Sequence, residues 1–163
     1  MSERTKVAVV GVGHLGSRHA RVYAESPNAE LVGVADVDLA RARAVADAHG
    51  VRAVADLAEL IPDVAAASVA VPTVSHREVT AKLLEAGVHV LVEKPISGSL
   101  AEAREMVNLA KERARVLAVG HTERHNPAVE ALLARSRNPR FIEVHRLGSF
   151  SPRSLDIDVV LDL

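Results

Sequence analysis

Val9-Val10-Gly11-Val12-Gly13-His14-Leu15-Gly16 closes a short apolar run, Lys6 to Val10, and opens a stretch with helical patterning. The Gly-x-Gly-x-x-Gly spacing at such a junction gives each glycine a task. Gly11 makes the tight turn, Gly13 lets a pyrophosphate approach the backbone, and Gly16 lets the helix pack against the strand. The helix that follows offers free N–H groups and a partial positive charge to an anion. Taken alone, these glycines also suit an ordinary strand-to-helix turn. Asp36 adds weight to the first reading. It lies 20 residues after Gly16, at the end of the next apolar run, where a carboxylate can accept hydrogen bonds from the ribose of adenosine. The same charge repels a 2′-phosphate, which favours NAD over NADP. Arg41 and Arg43 keep NADP open, because a nearby guanidinium can receive that phosphate. His14 and Leu15, inside the loop, are counted with Gly11, Gly13, Gly16 and Asp36 as cofactor contacts.

Outward from this loop, Val-rich runs alternate with longer helical segments, the pattern of repeated βαβ units on a parallel sheet. The runs are continuous rather than alternating with polar residues, as strands covered on both faces require. Expected strands are Lys6 to Val10, Leu31 to Asp36, Val51 to Val54, Ala67 to Val71, His89 to Glu93 and Val116 to Gly120. Ser75 with Glu78 and Ser99 with Glu102 have the spacing of a capping box, and Asp38 and Asp56 suit simpler caps. Gly50 and Gly87 stand where helices should stop. The fold class expected is α/β, a Rossmann-type doubly wound parallel sheet over residues 1–121.

Composition narrows the function classes. With 48% hydrophobic residues, 25% charged residues and a net charge of −1, the chain suggests neither disorder nor a broad basic footprint for nucleic acid. Three aromatics, Tyr23, Phe141 and Phe150, give no platform for stacking bases. Zero cysteines rule out disulfides and thiolate chemistry and agree with a reducing compartment. The polar start at Met1 to Lys6, and the lack of a long apolar run, point to a cytoplasmic protein without a membrane span.

Two more strand ends carry unusual loops, and ligands of open α/β sheets sit at the carboxyl ends of strands. One reads Val71-Pro72-Thr73-Val74-Ser75-His76, the other Val92-Glu93-Lys94-Pro95. Lys94 follows a buried strand beside Glu93, a setting in which its pKa can be perturbed and its amine held near a reacting hydroxyl. By spacing alone the commoner reading is a solvated lysine at a strand end. The eight histidines form no metal-like cluster, and His121 with His125 lacks a third ligand. No metal is expected. No Gly-x-Ser-x-Gly elbow supports a serine nucleophile.

Together these residues resemble the glucose-fructose oxidoreductase, inositol dehydrogenase and MocA family (Gfo/Idh/MocA). The glycine loop with Asp36 is shared by many dinucleotide folds. The Glu93-Lys94-Pro95 triplet, with Pro72-Thr73 and His76 at the preceding strand end, is much more specific. The resemblance implies that Val71, Pro72, Thr73, His76, Glu93 and Lys94 line the nicotinamide half of the site, and that Lys94 contacts the sugar hydroxyl being oxidised. It implies a bound-cofactor role for Arg124, which with Pro127 matches an Arg and a Pro found after the sixth strand. Asp162 resembles the Asp of an Asp-x-x-x-His element whose His, the general acid/base, would fall past Leu163. The mechanism the resemblance implies has the base take the hydroxyl proton while hydride passes to C4 of NAD, with Lys94 and Asp162 positioning and polarising the hydroxyl. The Lys94-Pro95 bond is expected to be cis, aiming Lys94 at the nicotinamide. The runs Val119 to Val129 and Asp158 to Leu163 most resemble the branch acting on nucleotide-activated amino sugars, the UDP-N-acetylglucosamine 3-dehydrogenase type.

After Gly120 the character changes to a His/Arg/Asn-rich stretch, with a helix expected at Pro127, a strand over Arg140 to Leu147 and an apolar helix from Leu155. Residues 122–163 thus read as the truncated start of an α/β substrate domain, too small to hold its own core, and the chain as a fragment of a longer protein. The expected function is NAD-dependent hydride transfer from a sugar or nucleotide-sugar. A non-catalytic NAD-binding module and an NAD-using glycosidase are the alternatives. Family likeness implies a homo-oligomer for the full-length protein.

Overall fold

The computed structural model describes residues 4–143 and 145. Among them, β1 (Thr5–Val10), β2 (Ala29–Ala35), β3 (Arg52–Val54), β4 (Ala66–Val69), β5 (His89–Val92) and β6 (Leu117–Val119) form one sheet in the order β3-β2-β1-β4-β5-β6. Every pairing is parallel. The helices are α1 (His14–Glu25), α2 (Leu39–His49), α3 (His76–Glu85), α4 (Leu100–Glu112) and α5 (Pro127–Arg135). All six expected strands are present, in the Rossmann order.

Alternate residues of β1 enter two different cores. Val7 and Val9 pack with Ala20, Leu31, Val34, Ala42 and Ala46 under α1 and α2. Ala8 and Val10 pack with Val69, Leu83, Leu84, Val90 and Met106 under α3 and α4. A strand whose two faces are both buried has no solvent-facing position for a polar residue, and that is why Val7 to Val10 is an unbroken apolar run. The order places β1 between β2 and β4, so the chain leaves β1 toward one side of the sheet and β4 toward the other. The carboxyl ends of β1 and β4 therefore flank a crevice.

Several boundaries are shorter than the sequence suggests. β4 ends at Val69 rather than Val71, because its last ladder partners are Val10 and Val92 and the chain then turns into Pro72. Asp36, Glu93 and Gly120 likewise lie just past their strands, in the loops. The caps at Asp38 and Asp56 form, with side chains accepting from the N–H groups of Arg41 and Ala58. Asp56 caps a 3-10 turn at Leu57–Glu59. Ser99 accepts from the Glu102 N–H. The capping box expected at Ser75 does not form. A 3-10 turn over Thr73–Ser75 runs straight into α3, so Ser75 already has helical dihedrals and its hydroxyl makes no cap bond. The strand expected at Arg140 to Leu147 is also corrected. Arg140 to Glu143 and His145 carry none, since no described strand lies beside them to complete a ladder. Val144, Arg146 and Leu147, and the helix expected from Leu155, lie outside the described residues. No helix among the described residues is long and apolar enough to cross a membrane.

Candidate functional site

The glycine loop joins β1 to α1, and the three glycines differ in what constrains them. Gly11 has φ +80°, and a Cβ there would stand 2.8 Å from the Ala70 carbonyl oxygen. A Cβ on Gly16 would overlap the Gly11 carbonyl oxygen, so the helix closes on the loop only because that position is bare. Gly13 has an ordinary φ of −69°, and a Cβ on it would meet nothing within 4 Å. No atom of this chain demands glycine at 13, and the space beside it is open to a group approaching the backbone.

Gly13 is also the N-cap of α1, without a side chain to bond the first turn and with no acidic residue in that turn. Helices α2, α4 and α5 are instead capped by Asp38, Ser99 and Asn126. The mouth of α1 thus keeps N–H donors and the positive end of its dipole for an anion. These features fit a diphosphate.

Asp36 stands beside this mouth, only 7% exposed. Its Oδ2 accepts from the Val12 N–H at 2.9 Å and from Arg41 Nε at 3.0 Å. Its Oδ1 accepts from the Asp38 N–H at 2.9 Å and from Arg41 Nη2 at 2.7 Å. Burial alone would push the carboxyl up; the Arg41, Asp38 and Val12 bonds outweigh it and hold Asp36 below the usual carboxylate range. The carboxylate is therefore fixed to the loop by the loop's own backbone.

At the neighbouring strand ends, Leu15, Ala70, Val71, Pro72, Thr73, His76, Glu93 and Lys94 line one cavity of about 210 Å³. The structure thus brings together Leu15 from the glycine loop with all of the residues expected around Lys94. The Lys94–Pro95 peptide is cis, as expected. His76 is 1% exposed, with Nδ1 2.8 Å from the Pro95 carbonyl oxygen and Nε2 3.0 Å from that of Val71. A neutral imidazole carries one N–H, so the ring donates to one of these carbonyls and lies against the other; donation to Pro95 ties the segment after β4 to the β5 loop. That staple joins residues 19 apart in sequence, and nothing in local spacing announces it.

A second network stands behind Lys94. His19 Nε2 is 3.0 Å from Glu93 Oε1, and Glu93 Oε2 accepts from the Lys94 N–H at 3.2 Å. His19 Nδ1 lies 3.1 Å from Ser68 Oγ, itself 2.8 Å from the Tyr23 hydroxyl. With Nε2–H given to the carboxylate, Nδ1 of a neutral ring is left to accept from Ser68. The His19 bond, against the cost of burial, holds Glu93 below its ordinary value. Gly120 lies against the Glu93 carboxylate, where a Cβ would come within 2.9 Å. Sequence reading missed His19, Ser68 and Tyr23. The signal available was the polar Ser68 inside an otherwise apolar run.

Two expected residues stand apart. Arg124 lies in a 3-10 turn at Thr122–His125 and lines a different cavity, with Leu91, Val119, Gly120, His121, Thr122 and His125. His14 is the exposed first residue of α1. Asp162 lies outside the described residues. Among the described residues no group of three or more metal-type ligands gathers.

Residues 5–121 match the family model described as "Oxidoreductase family, NAD-binding Rossmann fold", GFO_IDH_MocA. The chain is 43% identical over 159 residues to the UDP-N-acetylglucosamine 3-dehydrogenase of Acidithiobacillus ferrooxidans, covering 97% of this chain and 50% of that one. A crystal structure of that enzyme superposes with a TM-score of 0.91 at 42% identity, over 99% of this chain and 53% of that chain. GenD2 from gentamicin A biosynthesis, solved in complex with NAD, matches at 37% identity and a TM-score of 0.79, over 84% and 40% of the two chains. A variant of KijD10, a 3-ketoreductase from Actinomadura kijaniata solved with TDP-benzene and NADP, matches at 26% identity and 0.77, over 81% and 43%. The chain spans half or less of the curated relatives it matches.

Proposed function

Because this chain belongs to the Gfo/Idh/MocA oxidoreductase family, we propose that residues 1–121 hold NAD for an enzyme whose substrate domain begins at 122–163. The enzyme oxidises a hydroxyl-bearing carbon of a sugar, and the substrate class we favour is a nucleotide-activated amino sugar of the UDP-N-acetylglucosamine kind. The observation that carries this reading is the crevice between β1 and β4. On one side of it a bare helix mouth has a buried carboxylate fixed alongside; on the other, Lys94 faces a cavity shared with Leu15 of the same mouth. NAD, when bound, supplies the hydride acceptor. The chain's part is to seat the diphosphate on the α1 mouth, take the ribose at Asp36 and hold Lys94 against the substrate hydroxyl. Asp162 joins Lys94 in positioning that hydroxyl. Arg124, which lines the neighbouring cavity beside Gly120, is kept as a cofactor contact on family likeness alone. NAD is preferred to NADP because the Asp36 carboxylate opposes a second phosphate at the ribose. The 43% identity to an enzyme named for UDP-N-acetylglucosamine supports the substrate class.

The test uses the protein at the length of its relatives, incubated with NAD and either UDP-N-acetylglucosamine or free sugars, with NADH followed by absorbance. NADH should accumulate with the nucleotide-sugar. Lys94→Ala should keep its NAD affinity while kcat falls at least about 100-fold, the usual weight of one lost group at a reacting oxygen. Unchanged turnover in Lys94→Ala removes that residue from the chemistry. NAD binding without NADH formation on any sugar supports a non-catalytic module instead.

A further inference from the structure

The four bonds to Asp36 carry a consequence for the cofactor that sits there. A carboxylate offers about four lone-pair positions. In this structure all four are taken: Val12 N–H and Arg41 Nε on Oδ2, Asp38 N–H and Arg41 Nη2 on Oδ1. The two backbone donors belong to the glycine loop and to the turn into α2, and neither can leave without unmaking the loop. Arg41 is different. It sits on the first turn of α2, its side chain is 47% exposed, and its remaining acidic neighbour, Asp38 Oδ2, is 3.9 Å away.

We propose that Arg41 is a latch on the ribose subsite: its guanidinium occupies the Asp36 oxygens that a ribose diol needs, and the diol binds by displacing it. This rests on the reading that the loop holds a dinucleotide. The arginine that must move is the same group that already reaches, at 2.7 and 3.0 Å, the oxygens against which the ribose would dock. Once displaced it stays within reach of a 2′-substituent. A 2′-hydroxyl takes nothing from it beyond the bonds it has lost, whereas a 2′-phosphate offers a two-pronged guanidinium partner. Arg41 therefore works against NAD and for NADP, opposing the preference that Asp36 sets. The geometry makes this residue, rather than Asp36 alone, the setting of cofactor choice.

The experiment is calorimetric titration of the 163-residue chain and of Arg41→Ala and Arg41→Lys with NAD and, separately, NADP. Thermal melts confirm that each variant is folded. Arg41→Ala should bind NAD about 2- to 5-fold more tightly, the weight of a partly exposed ion pair no longer broken. It should bind NADP about 10-fold more weakly, the weight of a charged bond to phosphate. Arg41→Lys, which keeps the charge but cannot span both Asp36 oxygens, should share the NAD gain and recover part of the NADP loss. NAD binding that is unchanged or weaker in Arg41→Ala overturns the latch while leaving the dinucleotide reading intact. If the parent chain binds neither nucleotide, both readings fall together.

Discussion

The two sides of the crevice are built from different materials. At the carboxyl ends of β1 and β2, backbone does most of the work: bare glycines, an uncapped helix mouth and one carboxylate pinned by the N–H groups of Val12 and Asp38, with the Arg41 side chain added from α2. At the ends of β4 and β5, side chains do it. His76 lies between a carbonyl of each loop and donates to one of them, and His19 holds Glu93 behind Lys94, with Ser68 and Tyr23 beyond. The first arrangement is assembled within one βαβ unit, the second across residues far apart in sequence. A steric change should therefore break the first side, and loss of a polar partner the second.

The largest effect is expected on the backbone side. Gly16→Ala places a Cβ on the Gly11 carbonyl, so the loop must open or the helix shift, at a cost of about 3 kcal/mol or more. Urea unfolding measures that loss, and a near-neutral result would mean the loop is not the rigid unit described. His76→Ala comes next. It removes a buried ring from between two carbonyls, and about 2–3 kcal/mol should be lost by the same measurement. An effect smaller than that of an exposed residue would show that the two loops do not depend on the staple.

A smaller effect, readable through pH, separates the carboxylates from their surroundings. Asp36 and Glu93 are both held below their ordinary values in the folded chain, so the unfolded chain takes up protons first as pH falls. Their contribution is then fully present above about pH 4.5 and is lost as acid titrates the folded groups. Glu93→Gln should cost about 1–2 kcal/mol at neutral pH, with a shallower acid limb in melts between about pH 5 and 3. An acid limb identical to that of the parent would remove Glu93 from the account.

This contrast also decides what sequence could disclose. Gly11, Gly13, Gly16 and Asp36 were legible because a single βαβ unit imposes their spacing, and the apolar runs because both sheet faces are covered. The His76 bridge to Pro95, the His19 bridge to Glu93 and the double grip of Arg41 on Asp36 were not, because each depends on how loops or helix faces meet after the sheet has formed. The Ser75 cap failed for a local reason: the spacing was right, but a 3-10 turn had already taken that residue into the helix. Beyond Gly120 the expected helix at Pro127 is present, capped by Asn126, while Arg140 to Glu143, the described part of the expected strand, pair with no strand among the described residues.

The smallest change of all bears most directly on the account. Gly13→Ala adds a methyl group where the chain has no atom within 4 Å and where φ is ordinary, so stability should stay within about 0.5 kcal/mol of the parent. Calorimetric titration with NADH should show saturable binding to the parent chain and binding at least about 10-fold weaker in this variant, because the methyl occupies the approach of the diphosphate. Equal affinity in the two folded chains, or none in the parent, would contradict the claim that the mouth of α1 receives a dinucleotide.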